Sequence, residues 1–367
     1  MWKKSGWIGA AIAFLASPVA NAQRIVPDPV SCPRCTIEAR TVLRIGGLDS
    51  PLPSEGPADV VADGQGRYWV FSWNATPMVF DRTGKPIREF THGAGPNETG
   101  FAEYAILTPA DSVAIFDAEN RRISVFASDL TAKRSIALSG FPVKPRILRW
   151  PDRVIVVQPA GSRQTLQPPL QLIDLSGPTS STLATFGRIR TTLTGPALAR
   201  SFHRTLSSVR NGRVWEAEHM RYNLHYWRVD GTFPVLLDSL QRRPAWFSEE
   251  LVSPGVPVAH PRLNRVEQDA DGLVWVFLNQ PTGVTLSEVM PKRSSRTREG
   301  RTDQIPMEKL LRTVVEVIDP KTARVITRTT VPSILSTVLA DGRAVFYNVD
   351  RDGIPYLEIV TLRLAGR

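Results

Sequence analysis

Short apolar stretches alternate with polar turns along almost the whole chain, and the same pattern returns six times. Each copy has an apolar residue, a polar turn often carrying Asp-Gly or Asn-Gly, an aromatic or β-branched strand, a polar loop, and a further alternating strand. The first copy reads Val60 to Val70, then Met78 to Gly84, then Ile87 to Phe90. The second has Asp111 to Asp117 and Arg122 to Phe126. The third has Asp152 to Val157 and Leu170 to Asp174. The fourth has Asn211 to Trp215 and Tyr226 to Gly231. The fifth has Asp271 to Val276 and Val314 to Asp319, and the sixth runs from Asp341 to Val360. Period-two alternation between turn signals predicts strands. Self-similarity at this spacing predicts a repeat architecture.

Aligned on the turn, Trp69, Ile115, Val156, Trp215, Trp275 and Val345 share one position and are all large and apolar. Such a position packs between neighbouring sheets. Six short antiparallel sheets around an axis bury each other's faces and leave no long free edge. The predicted fold is therefore all-β: a six-bladed β-propeller over residues 36–364. The sixth copy ends at Thr361-Leu362-Arg363-Leu364, without room for a fourth strand, whereas Thr36 to Ile45 alternates like a strand before the first copy. That N-terminal strand is expected to close the last blade.

Here the chain resembles the NHL-repeat-like six-bladed propellers of exported bacterial proteins. Asp117-Ala118-Glu119-Asn120-Arg121-Arg122-Ile123-Ser124-Val125-Phe126 is similar to that family's D-x-x-N-x-R-I-x-V-F run. Phe80 to Lys85 and Gly93 to Phe101 look like its F-D-x-x-G and G-x-G-P-G-x-F elements. The resemblance implies fold more than function, because propellers host unrelated activities.

The first residues read as a signal peptide over 1–22. Lys3 and Lys4 precede the apolar stretch Trp7 to Ala16, and Ala20-Asn21-Ala22 is an A-x-A cleavage site. Cleavage near Ala22 predicts a mature chain starting at Gln23, periplasmic or extracellular and without a transmembrane span. Residues 23–35 form an N-terminal segment carrying Cys32-Pro33-Arg34-Cys35. These are the only two cysteines, and in an exported chain they are expected to form a local disulfide. No His follows Cys35, which removes covalent c-type haem attachment.

Charge narrows the partners. The chain carries 37 Arg and 8 Lys, and its net charge is +10. Arginine binds carboxylate, phosphate and sulfate through planar paired contacts. Export makes nucleic acid a poor partner, so an acidic saccharide or an acidic protein segment is expected, bound by a monomer. In a propeller, the loops between blades and between strands two and three share one face. Arg188, Arg190, Arg200 and Arg204 fall in the blade 3–4 connection, and Arg242, Arg243 and Arg262 in the blade 4–5 connection. With Asn120 and Arg121 of the family-like run, these are the candidate ligand-binding residues. The insertion 281–312 in blade 5 adds further basic residues, and Pro306 to Arg312 is read as a short helix.

A second function class rests on histidine. His203 and His260 each precede the next blade's first apolar residue by six positions, and His92 lies in the blade 1–2 connection. If the three meet at the axis they could hold Zn²⁺ in an open site. Asp117, Glu119 and Asp350 are weaker candidates for Ca²⁺. The two readings are thus a non-catalytic anion binder without a cofactor, and a metal-dependent lyase or lactonase-like hydrolase with Zn or Ca at the axis. Gly-x-Ser-x-Gly is absent, and Gly93 to Gly100 opens no helix, so neither a serine-elbow hydrolase nor a phosphate-loop enzyme is indicated.

Overall fold

The computed structural model describes residues 23–48, 52, 57–72, 75–100, 102–108, 111–138, 143–149, 153–157, 168–188, 203–231, 233–247, 261–284, 288 and 307–367. Two strands precede the repeats, β1 (Arg24–Val26) and β2 (Thr36–Gly46). Blade 1 is β3 (Pro57–Ala62), β4 (Tyr68–Ser72), β5 (Met78–Phe80) and β6 (Pro86–Glu89). A small parallel pair follows, β7 (Thr91–His92) with β8 (Glu98–Thr99). Blade 2 is β9 (Ala102–Leu107), β10 (Val113–Asp117), β11 (Arg122–Phe126) and β12 (Ala132–Ala137). Blade 3 is β13 (Val143–Arg149), β14 (Arg153–Val157), β15 (Leu170–Asp174) and β16 (Ser181–Phe186). Blade 4 is β17 (Arg204–Leu206), β18 (Arg213–Glu218), β19 (Asn223–Arg228) and β20 (Val235–Arg242). Blade 5 is β21 (Arg262–Gln268), β22 (Val274–Pro281), β23 (Leu311–Asp319) and β24 (Arg324–Val331), with the short helix α1 (Met307–Leu310) before β23. Blade 6 is β25 (Ile334–Val338), β26 (Ala344–Val349) and β27 (Pro355–Ala365), completed by β2.

The protein is a six-bladed β-propeller. β2 lies antiparallel to β27, from Thr36 opposite Ala365 to Gly46 opposite Tyr356, so the first and last strands of the propeller share one sheet. Among the described residues the buried apolar side chains form one cluster per seam. Trp69, Phe71 and Phe90 meet Ile115 and Phe126 between blades 1 and 2, and Trp275 and Phe277 meet Phe346 and Val360 between blades 5 and 6. Trp69 stacks on Phe90 at 5.6 Å, and Phe90 meets Phe126 edge-on at 4.9 Å. Each such aromatic contact adds about 1 kcal/mol beyond area burial.

The repeat turn has a physical core. Asp63 accepts the Trp69 indole N–H at 3.0 Å, and Asp269 accepts that of Trp275 at 2.8 Å. In both blades the acid closes the turn, and the indole lies six residues later. The alignment places Ile115 at this position, and the structure corrects it. Thr108 N–H bonds Ser112 O as Asp63 N–H bonds Arg67 O, so Ala114 stands where Trp69 does. Ile115 therefore faces back to blade 1, in the cluster with Trp69. A slip of one residue sends a strand side chain to the other face of its sheet.

The segment before β2 is a strap. β1 joins blade 4 as a fifth strand, parallel to β20, with Arg24 opposite Leu240 and Val26 opposite Arg242. Arg24 pairs with Asp238 of blade 4 and donates to Pro320 O of blade 5 at 2.6 Å. Ser31 and Cys32 N–H groups donate to Val325 and Ile326 O on β24. Cys32 and Cys35 form the disulfide, and Thr327 Oγ1 donates to Cys35 O at 2.7 Å. The strap thus ties blades 4, 5 and 6 together through backbone and charge, with the disulfide at the closing seam. Deleting residues 23–35 should lower the melting temperature far more than Cys32→Ser with Cys35→Ser. The disulfide closes only a four-residue loop, worth about 2 kcal/mol at most. Thermal unfolding of the two variants checks the order.

Candidate functional site: the loop face of blades 3 to 5

Contacts join the described ends of the blade 3–4 and blade 4–5 connections across the open end of blade 4. Arg188 O accepts from Arg204 Nη2 at 3.0 Å. Arg204 lies opposite Glu218, whose carboxylate accepts from Asn223 Nδ2 at 3.2 Å. Asn223 lies opposite Gln241, which accepts from Arg243 Nη2 at 3.2 Å. Leu263 N–H donates to His219 O at 2.8 Å, which brings the start of blade 5 alongside. A continuous row therefore runs from Arg188 through blade 4 to Arg243, with Arg262 beside it.

The arginines along this row have two different roles. Arg204 is buried, and its Nε donates to Glu216 Oε1 at 2.7 Å. Glu216 is also bonded by the Trp227 indole at 2.7 Å and stands 3.5 Å from His225 Nδ1. Burial alone would raise the Glu216 pKa, but His225, Arg204 and Trp227 outweigh it and hold it at about 2. Arg242 is equally buried. It bonds both oxygens of Glu316, at 2.7 and 2.8 Å, and Asp28 of the strap at 2.7 Å. Arg328 bonds Glu316 and Asp28 as well, at 2.6 and 2.8 Å, and the Tyr222 hydroxyl donates to Glu316 at 2.5 Å. Against the cost of burial, Glu316 pushes the Arg242 pKa above its usual value. Arg204 and Arg242 are therefore corrected from ligand contacts to internal struts. Their carboxylate partners lie 12 and 74 residues away in sequence.

Asn120 is corrected in the same way. Its Nδ2 donates to Gly93 O at 2.9 Å and to the buried Asp117 at 2.7 Å, and Asp117 also accepts Gly100 N–H at 3.0 Å. Arg122 donates to Ala94, Gly95 and Glu98 carbonyls. The family-like run thus clamps the glycine-rich connection 93–100 onto blade 2. Arg121 takes a left-handed backbone conformation in that turn, with φ of 51°. Its carbonyl accepts Leu138 N–H.

Arg188, Arg243 and Arg262 are exposed and have no carboxylate partner among the described residues. Arg262 is a special case: it reaches solvent, yet surrounding protein lowers its pKa from the usual guanidinium value. Opposite it on β22 is Asn279, fully buried, whose amide nitrogen and oxygen have no hydrogen-bond partner among the described residues. On blade 4, His203 and His219 stack at 6.0 Å, and His203 O accepts His219 N–H at 3.1 Å. Strand register makes Arg262, rather than His260, the blade 5 counterpart of His203. Arg204 opposite Glu218 matches Leu263 opposite Leu278, so the preceding residues correspond.

His92 has its own partner, Glu119 of blade 2, at 3.0 Å. Arg190, Arg200 and His260 lie outside the described residues, as do Lys292, Arg293, Arg296, Arg298 and Arg301 of the insertion. Among the described residues, no group of three or more His, Cys, Asp or Glu is arranged to hold a metal ion. Where the insertion returns to blade 5, α1 replaces the longer helix expected over Pro306 to Arg312. Leu311 and Arg312 already belong to β23.

Sequence reasoning missed the axis. There Arg265 donates to Glu267 at 3.1 Å, and Glu267 accepts Ser208 N–H at 2.8 Å. Across the axis Asp59 is buried. That burial raises its pKa, against Arg265, a Thr337 hydrogen bond and the N–H groups of Val60 and Ala105. The contacts join blades 1, 2, 4, 5 and 6, and their residues are far apart in sequence.

No family model matches the chain, and no curated protein matches it in sequence. Solved structures share its shape. A member of the duf4221 family from Bacteroides vulgatus superposes with a TM-score of 0.56 at 12% identity, over 90% of this chain and 99% of that one. A streptogramin B lyase gives 0.45 at 11% identity, over 90% and 98%. A gluconolactonase from Xanthomonas campestris gives 0.44 at 11%, over 83% and 85%. At these identities the likeness is one of fold.

Two opposite pH effects follow. The folded pKa of Glu216 is below its ordinary value of 4.5, so its stabilisation is present above that pH and is lost as pH falls toward about 2. Glu216→Gln should remove about 3 kcal/mol at neutral pH and flatten that acid limb. The folded pKa of Asp59 is above its ordinary 3.8, so its ionisation opposes folding at neutral pH. Asp59→Asn should be more stable than the parent at pH 7, with the gain fading toward pH 4. Denaturant titrations across the pH range read both.

Proposed function

We propose that this is an exported, non-catalytic propeller of the NHL-repeat-like kind that binds an anionic ligand on the loop face of blades 3 to 5. The ligand is an acidic saccharide or an acidic protein segment. The supporting observation is the division of labour among the arginines. Arg204 and Arg242 are neutralised inside the seams and stiffen the scaffold, while Arg188, Arg243 and Arg262 stand exposed at the same edge without an acid partner among the described residues. Cations on or within two residues of a strand, without internal counter-charges, attract anions at low loss of conformational freedom.

Export to the periplasm or beyond, with cleavage near Ala22, belongs to the same reading. It is supported by the disulfide, which suits an oxidising compartment.

Purified protein should bind a polyanionic glycan or a polyglutamate peptide with an affinity that falls steeply as salt rises from about 50 to 300 mM. Arg188→Ala with Arg243→Ala should weaken that binding about tenfold while leaving the melting temperature unchanged. Arg242→Ala should instead destabilise the fold by about 3 kcal/mol, because the buried Glu316 loses its two-bond partner and keeps only Arg328 and the Tyr222 hydroxyl. Binding that ignores both salt and the double substitution would defeat the reading.

A further inference from the structure

Arg262 and Asn279 face the same way from neighbouring strands at the open end of blade 5, directly opposite each other in the ladder. Each lacks what its chemistry requires. The guanidinium has no acid among the described residues, and protein around it lowers its pKa. The amide is fully buried, with neither its donor nor its acceptor paired among the described residues. A buried polar group in that condition costs about 1–3 kcal/mol and calls for a partner. The two strand arginines at the open end of blade 4 are satisfied internally, Arg204 by Glu216 and Arg242 by Glu316. The blade 5 position therefore differs from its neighbours in needing an external group.

The two side chains define that group. Arginine's fork matches a carboxylate. The Asn279 amide needs an acceptor for its N–H and a donor for its oxygen at the same place. A bare sulfate supplies acceptors only. A carboxylate flanked by a hydroxyl supplies both, the hydroxyl reaching the buried oxygen through one bridging water.

We infer that Arg262 and Asn279 form a specific subsite for a uronic-acid residue, the carboxylate on Arg262 and a neighbouring hydroxyl on Asn279. The inference rests on the anion-binding reading above and narrows it from an acidic ligand to an acidic saccharide. Arg188 and Arg243 then act as outlying cations along the same oligosaccharide.

Calorimetric titration with a defined oligogalacturonate tests it, beside the neutral oligogalactose of equal length, dextran sulfate and a polyglutamate peptide. The expected result is one-to-one binding of the uronate, with none of the neutral sugar. Arg262→Ala should weaken uronate binding at least tenfold, and the salt-dependent capture of dextran sulfate should survive through Arg188 and Arg243. Asn279→Asp puts a carboxylate beside Arg262. It should abolish uronate binding without lowering the melting temperature, so that a folding failure is not mistaken for a lost site.

Uronate affinity unchanged in both variants would overturn the subsite. So would dextran sulfate binding with no preference for uronate, although the general reading would then stand. Polyglutamate binding that depends on Arg262 in place of uronate would overturn the saccharide assignment. No binding of any polyanion would remove both readings together.

Discussion

A blade of this protein cannot bury its own faces. Each four-stranded sheet hides its apolar side chains only against the sheet before and the sheet after, so the ring must close or leave two faces wet. Closure falls to one ladder, β2 on β27, and every seam depends on it. The strap that precedes β2 reinforces this point rather than adding a domain. It lies across blades 4, 5 and 6 and delivers Asp28 to the arginines that neutralise Glu316. Arg328 and Arg242 hold the Asp28 pKa below the usual carboxylate range despite its slight burial.

The high arginine content takes on a different meaning in this light. Much of it is internal. Arg24, Arg204, Arg242 and Arg328 pair with carboxylates at the seams, and Arg122 and Arg146 donate to backbone carbonyls of loops and neighbouring blades. A guanidinium can bond several acceptors at once in one plane, which suits a seam where two sheets present carbonyls and acids from different directions. The loop face is therefore less positive than a count of its arginines implies, and the few exposed guanidinium groups stand out more clearly.

How far the sequence alone reached can be read from particular residues. The six repeats, the strand at Thr36 and the cysteine pair were legible because turn chemistry and period-two alternation are local. The position shared by Trp69 and Trp275 was legible for the same reason, since each indole answers an acid six residues earlier. Ile115 was misplaced because blade 2 closes its turn with Thr108 and Ser112, without the acid that marks the repeat. His203 was matched to His260 instead of Arg262 because the count ran back from Val209 and Val266, whereas in the ladders Val266 opposite Val276 answers Leu206 opposite Glu216. Arg204 and Arg242 looked like surface cations because nothing near them in sequence identifies Glu216 or Glu316. Asn279 gave no signal at all: an asparagine ending an apolar strand reads as a turn residue until its burial is known.

The pairing of β2 with β27 also bears on how the chain reaches its native state. Synthesis proceeds from the N-terminus, so the first propeller strand made waits for the last one, more than three hundred residues behind it. Until then β2 is an unpaired edge, and the faces of blades 1 and 6 that should meet stay open. A polypeptide of this kind can mature blade by blade but cannot finish early, because its final commitment is a single late docking event. Its window of exposure to chaperones, proteases and its own neighbours is therefore set by the time needed to complete its far end.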